Sequence, residues 1–490
     1  KTMGQGGFQE VEQMNLFKDM VCYQEEVRDP SRMAEVLNRV IEKAFRGSAP
    51  AQINVPRDYW TQVIDIDLPP IVRFEKQGGG KTAIDEAAKI LSESKFPVIL
   101  SGAGVVIGNA IEDCTKLAEK LDAPVCNGYQ HNDSFPGNHP LSVGPLGYNG
   151  SKAAMELISK ADVVLALGTR LNPFSTLPGY GIDYWPKNAT IIQVDMNPDR
   201  IGLTKKVTVG ICGDAKMVSQ QILEKLSPEA GNHEREDRKN LIHQTKSSWL
   251  QTLTSLDHED DDPGTVWNKE ARERDKERMS PRQAWRAIQA GMPDDVIISS
   301  DIGNNCAIGN AYPTFEKGRK YLAPGLFGPC GYGFPSILGA KIGCPDTPVI
   351  GFAGDGAFGI SMNEMSSCAR KEWPSITMVI FRNYQWGAEK RNSILWFDDN
   401  FVGTELDPEL SYAKVATACG LKGVTVKTME ETTNALKQSC DDQKKGITTF
   451  IEVILNQELG EPFRRDAMKK PVEVAGIDTK DMRPQILKNG

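Results

Sequence analysis

The chain has 490 residues, too many for one hydrophobic core at roughly 150 residues per domain. Its composition, 40% apolar and 25% charged with a formal net charge of −8, argues against a general nucleic-acid or anionic-membrane binder. No apolar run approaches the ~18 residues of a membrane span and no signal peptide opens the chain. The ten cysteines stand singly without a CxxC pair, and the five histidines lack metal-ligand spacing. That pattern excludes a zinc or thioredoxin-like motif and fits reduced thiols in the cytoplasm.

In chain order, a glycine-rich stretch through Gly7 comes first. Residues 31–45 follow with helical periodicity: Met33, Val36, Leu37, Val40 and Ile41 recur on one face, with Ser31 as a cap. A short strand at 51–55 ends at Pro56. Loop, helix and strand read as the back half of an α/β domain, closed by a linker with Pro69, Pro70 and Gly78 to Gly80. Residues 81–225 predict a complete α/β domain, with a helix at 83–92 and strands at 97–100, 163–167 and 191–194. The first of these strands runs into Ser101-Gly102-Ala103-Gly104. The turn at 102–108 reads as structural, with nucleotide binding as the alternative. Residues 226–278 are charged, notably at His258-Glu259-Asp260-Asp261-Asp262 and 271–278, and predict a partly helical linker. A further α/β domain spans 279–470. It starts at Ser280-Pro281, an N-cap followed by a first-turn proline, and has strands at 296–299, 349–353, 376–381 and 448–455. The tail, 471–490, has few core-forming residues.

The chemistry concentrates in this last domain. The strand at 349–353 ends in Gly354-Asp355-Gly356-Ala357-Phe358, a helix is expected around 363–370, and the next strand ends in Arg382-Asn383-Tyr384-Gln385. The 26 residues between Gly356 and Asn383 suffice for one helix and one returning strand. Asp355 and Asn383 are therefore expected at the carboxyl ends of neighbouring parallel strands, the edge where α/β sheets bind ligands. Magnesium takes hard oxygen ligands and shares them with phosphate. Asp355 supplies a carboxylate and Asn383 an amide oxygen, while the glycines admit a diphosphate beside a helix N-terminus.

This arrangement resembles the signature of thiamine diphosphate enzymes, in the domain order of the acetolactate synthase and pyruvate oxidase superfamily. Phe8-Gln9-Glu10 is similar to the end of its pyrimidine-binding domain. Leu167-Gly168-Thr169-Arg170 is similar to its central domain. Asp301-Ile302-Gly303-Asn304-Asn305 and Gly328-Pro329-Cys330-Gly331-Tyr332-Gly333 are similar to its diphosphate-binding domain. The resemblance implies a three-domain α/β architecture of parallel sheets flanked by helices. Residues 1–80 would be the C-terminal part of an incomplete pyrimidine-binding domain plus linker, and 81–225 a Rossmann-like central domain. Residues 279–470 would be the diphosphate-binding domain.

It also implies thiamine diphosphate and Mg2+ as cofactors. Asp355, Asn383 and the Gln385 carbonyl would ligate the metal. Ile302, Gly303, Asn304, Asn305, Gly354, Gly356, Ala357 and Asn383 would line the diphosphate. Gly328 would accept a bond from the aminopyrimidine through its carbonyl, and Cys330 would lie under the bent cofactor. Arg382 departs from the asparagine usual before the metal-binding one. The activating glutamate of relatives lies upstream of the glycine-rich stretch that opens this chain, and none of Glu10, Glu12, Glu25 or Glu26 is assigned its role.

The stretches 4–13, 327–333 and 381–393 narrow the resemblance to an acyl-transferring branch that converts sulfoacetaldehyde and phosphate to acetyl phosphate and sulfite. Both substrates are anions. Ala388-Glu389-Lys390-Arg391-Asn392 brings two cations just beyond the metal motif, where arginine offers a fork of donors and lysine a point charge. Lys390 and Arg391, with Gln9, are the candidate catalytic residues, and a homodimer or homotetramer is implied. The alternatives are an acetolactate synthase-like carboligase and a non-catalytic homologue.

Overall fold

The computed structural model describes residues 4–70, 75–256, 275–325, 327–370, 372–396 and 400–458. The acidic run at 258–262, residues 271–274 and the tail at 471–490 lie outside them. The described part divides into two compact units, residues up to 76 and residues from 77 onward.

In the first unit, strands β1 (Tyr23–Glu26) and β2 (Ala51–Asn54) pair in parallel around the helix Met33–Gly47. Val27, Val36 and Val40 form its small core with Tyr23, Met33 and Ile53. The expected apolar face is only half buried, because Leu37 and Ile41 stay exposed at 43% and 44%. Two short strands cover a narrow stripe of a helix, so the second row of apolar side chains has nothing in this unit to pack on.

The second unit contains two six-stranded sheets. The first comprises β3 (Pro97–Ser101), β4 (Val125–Asn127), β5 (Ser142–Pro145), β6 (Val163–Leu167), β7 (Thr190–Asp195) and β8 (Val209–Cys212), in the order β5-β4-β3-β6-β7-β8. All its neighbours are parallel. Buried valine, leucine and isoleucine fill β3 and β6 on both faces, as expected for a parallel sheet covered by helices. The order reverses between β3 and β6, and the glycine-rich turn sits at that point. A Cβ on Gly102 would lie 2.6 Å from the Gly168 oxygen, and one on Gly104 2.6 Å from the Gly168 Cα. Close packing of the two turns therefore accounts for both glycines.

The second sheet comprises β9 (Ile297–Ser300), β10 (Tyr321–Leu322), β11 (Val349–Gly354), β12 (Thr377–Arg382), β13 (Lys422–Val426) and β14 (Thr449–Ile454). It is again wholly parallel, in the order β10-β9-β11-β12-β14-β13. Ser280 caps the helix Pro281–Gly291 in a full capping box with Gln283, two reciprocal bonds that satisfy first-turn N–H groups. Trp285 of that helix is buried against Phe352 of β11 and Phe381 of β12.

Between the two sheets runs the helix Arg235–Leu256. Its Ile242 joins the first core, while Trp249 and Leu253 join the second. Asn310 adds polar ties, accepting from the Gln130 N–H at 3.0 Å, while Asn132 donates to the Asn310 and Pro313 carbonyls. Among the described residues no helix is long and apolar enough to cross a membrane.

Candidate active site

The second sheet reverses its order between β9 and β11, and such a switch point opens a crevice at the carboxyl ends of the strands. Ile302, Gly303, Asn304 and Asn305 leave β9 there, and Asp355 and Gly356 leave β11. Gly354 pairs with Phe381 across β11 and β12, so Asn383 and Gln385 follow on the adjacent strand. The helix after β11 starts at Asp355 itself (Asp355–Ser361), continues as a 3-10 turn and resumes at Met365–Cys368. It thus begins eight residues before the stretch where periodicity alone suggested it, since Gly356 and Gly359 dilute the apolar pattern of its first turn.

Asp355 is 1% exposed. Its Oδ1 accepts from the Gly356 N–H at 3.0 Å; its Oδ2 accepts from Arg382 Nη1 at 3.0 Å and from the Tyr384 N–H at 2.6 Å. Burial pushes its carboxyl up to about 6, and the Arg382 charge opposes that rise. Arg382 is itself fully buried, 3.7 Å from Glu452, donates to the Asp407 and Leu410 carbonyls, and stacks 4.2 Å from the Tyr384 ring. The residue that departs from the resembled pattern is therefore the counter-charge of the candidate metal carboxylate. Sequence reasoning noted the departure but had no signal for the contact.

Asn383 and Gln385 are both buried, and Tyr384 between them takes a left-handed φ of +64°. Gln457 braces this turn: its Nε2 donates to the Asn383 carbonyl, and its carbonyl accepts from Gln385 Nε2. Gln385 Oε1 and Asn305 Oδ1 are buried oxygens without a hydrogen-bond partner among the described residues. At Gly303, φ is +120° and a Cβ would meet nothing within 4 Å, which leaves open space over the turn. Gly354 also faces open space, whereas Gly356 is required by Trp386, whose ring would lie 2.8 Å from a Cβ there. Ala357 is buried in the same helix turn.

Gly328 comes close to Ile302, with its φ at +61° and a Cβ position 3.5 Å from Ile302 Cγ1. Cys330 lines a cavity of about 460 Å³ with Pro329, Gly331, Tyr332, Pro335 and Ser336. Burial raises its thiol above the usual range, and the Asp301 and Glu389 charges add to the shift, so it is a poor nucleophile.

Lys390 and Arg391 lie in the helix Gly387–Trp396, and both are buried, at 1% and 5% exposure. Lys390 forms an ion pair with Glu405 and lies 5.1 Å from the Phe401 ring. The turn after β12 is bridged to Glu405, which supplies the counter-charge that lets a lysine fold inward. Gln9 lies in the first unit, exposed, with a φ of +63°.

Models of known families match both halves of the second unit. "Thiamine pyrophosphate enzyme, central domain" matches residues 84–226, and "Thiamine pyrophosphate enzyme, C-terminal TPP binding domain" matches residues 301–453. The chain is 78% identical over 485 residues to a probable sulfoacetaldehyde acetyltransferase of Rhizobium meliloti (strain 1021), covering 99% of this chain and 82% of that protein. It is 74% identical over 485 residues to a sulfoacetaldehyde acetyltransferase of Roseovarius nubinhibens, covering 99% and 80%. The chain belongs to the sulfoacetaldehyde acetyltransferase family. That family lies within the thiamine pyrophosphate enzymes, and a crystal structure of benzoylformate decarboxylase from Polynucleobacter necessarius shares the fold. Its TM-score is 0.70 at 19% identity, covering 92% of this chain and 78% of that one.

The residues at the switch point fit the family's cofactor. A diphosphate needs open space over a turn, which Gly303 offers, since a Cβ there would meet nothing within 4 Å. A divalent ion needs oxygen donors, and the buried Asp355 carboxylate and Asn383 amide stand at the ends of the neighbouring strands β11 and β12, with Gln385 two residues further on.

Proposed function

We propose that this chain is a thiamine diphosphate- and Mg2+-dependent acetyltransferase that converts sulfoacetaldehyde and phosphate to acetyl phosphate and sulfite. The observation that carries this is the 78% identity over 485 residues to a probable sulfoacetaldehyde acetyltransferase. When bound, thiamine diphosphate supplies a nucleophilic carbon for the aldehyde carbon of the substrate. Overall, the carbon–sulfur bond breaks and sulfite leaves with its electron pair, the aldehyde hydrogen is lost as a proton and the former CH2 takes one up to become CH3, and a phosphate oxygen gives up its proton and ends bonded to the acetyl carbon.

The chain's own residues bind and orient. Asp355, Asn383 and the Gln385 carbonyl would hold Mg2+, which prefers such oxygen donors and shares them with phosphate. Ile302, Gly303, Asn304, Asn305, Gly354, Gly356 and Ala357 would surround the diphosphate. The Gly328 carbonyl would accept from the aminopyrimidine, and Cys330 would support the bend between the rings. Arg391 is the first candidate host for the sulfonate and then the phosphate, because its guanidinium matches tetrahedral oxyanions. Lys390 would reach an anion only by exchanging Glu405, so its role is to hold the helix beside the site. Gln9 stays a candidate from the resemblance alone. A homodimer or homotetramer, implied by the family resemblance, is part of the proposal. Ten unpaired thiols support a cytoplasmic setting.

The test is turnover of the purified protein with thiamine diphosphate, Mg2+, sulfoacetaldehyde and phosphate. Sulfite is read by thiol exchange and acetyl phosphate as its hydroxamate. Phosphate-dependent release of both in equal amounts is expected. Acetolactate formation from pyruvate without sulfite release would replace this reading by the carboligase one.

A further inference from the structure

We propose that Asp301 is a positioning residue that couples the turn holding the cofactor's diphosphate to the loop facing its rings. The inference rests on the cofactor reading above. Asp301 leaves β9 with its own N–H donated to the Phe352 carbonyl of β11 at 2.7 Å, and it is 1% exposed. Its carboxylate then reaches in two directions. Oδ1 accepts from the Ile302 N–H at 2.8 Å, next to Gly303, and from the Gly331 N–H at 3.1 Å; Oδ2 accepts from the Gly333 N–H at 2.7 Å.

One side chain thus joins the 302–305 turn to the 328–333 loop, and the loop's backbone is shaped for it. Gly331 takes a φ of +87°, and a Cβ on Gly333 would lie 3.1 Å from the Asp301 Cβ. The loop therefore packs directly on the aspartate, and its inward N–H groups have this acceptor. Burial raises the Asp301 carboxyl above the usual range, and the N–H groups of Gly333, Ile302, Gly331 and Tyr332 offset part of that rise. An ionised carboxylate only accepts, which suits three converging donors, whereas an amide would turn one N–H2 against them. Among the described residues the Asp301 carboxylate shares no hydrogen bond or ion pair with Asp355, Arg382 or Glu452, so its effect is on the rings rather than on the metal. Gly328 and Cys330 sit at the near end of this loop, and a shift there would misplace both.

The experiment compares two ligands on Asp301→Asn by calorimetry with saturating Mg2+. Of the two segments that Asp301 joins, inorganic diphosphate would touch the 302–305 turn alone, while thiamine diphosphate would touch both. The loss of charge-assisted bonds should weaken thiamine diphosphate by about 10- to 150-fold and inorganic diphosphate by a much smaller factor. Equal weakening of both ligands, or none, overturns the proposal. Failure of the unaltered protein to bind thiamine diphosphate would instead overturn the cofactor reading. A second arm uses the unaltered protein and needs no folded variant. Inorganic diphosphate with Mg2+ should slow amide hydrogen exchange at Gly331 and Gly333, although it does not touch them. Unchanged exchange there overturns the coupling.

Discussion

Replacing Arg382 by methionine tests whether the buried counter-charge of Asp355 is as coupled as its geometry implies. Methionine keeps much of the apolar volume and removes the guanidinium. Asp355 Oδ2 then loses its bond at 3.0 Å, Glu452 loses a cation at 3.7 Å, and the Asp407 and Leu410 carbonyls lose a donor. All three charged side chains are at most 2% exposed, so water cannot readily replace the lost partner. Breaking such a buried pair by removing one member costs about 3–5 kcal/mol. With an m-value of about 2–3 kcal/mol/M, the urea midpoint should fall by roughly 1–2.5 M. The assay is urea unfolding of the cofactor-free, metal-free protein followed by tryptophan fluorescence. Trp285 reports on this sheet because it packs between Phe352 and Phe381, and a Trp285→Phe control isolates its share. In a double-mutant cycle with Asp355→Asn, the combined loss should be smaller than the sum of the two single losses. A single-variant loss under about 1 kcal/mol, or strict additivity in the cycle, would refute the reasoning.

Asp355→Ala should abolish Mg2+-dependent binding of thiamine diphosphate, and unchanged affinity by calorimetry would remove Asp355 from the metal site. His131 is held neutral by burial, its pKa pushed down to about 4. Between that value and the ordinary 6.5 the unfolded chain binds the extra proton. Its contribution is therefore complete above pH 6.5 and is lost as pH falls toward 4, by up to about 3 kcal/mol. His131→Gln should flatten that part of the acid-unfolding profile, and superimposable profiles would contradict it. Arg391→Ala should lower kcat/KM for sulfoacetaldehyde, phosphate or both by roughly 10- to 150-fold, with cofactor affinity nearly intact. Kinetics like those of the unaltered protein would move the anion host elsewhere.

The amino-acid sequence by itself determined the α/β class, the course of most strands and the position of the cofactor motif. Those features are local: β6 at Val163–Leu167 and β11 from Val349 are short apolar runs that end in glycine turns, and a parallel strand buried on both faces must read that way. The shortest strands, β4 with three residues and β10 with two, carry no period long enough to detect. The order of the sheets, and hence the placing of the motif at a switch point, was decided by tertiary structure. So were the contacts that tune the site. Arg382 meets Asp355, 27 residues away, and Asp301 meets Gly331 and Gly333 at separations of 30 and 32. Lys390 turned inward because Glu405, 15 residues further along the chain, is brought beside it. Periodicity and turn chemistry are properties of adjacent residues and survive in any context. Which carboxylate faces which cation depends on how β9, β11, β12 and β14 close into one sheet, and burial then makes that pairing obligatory.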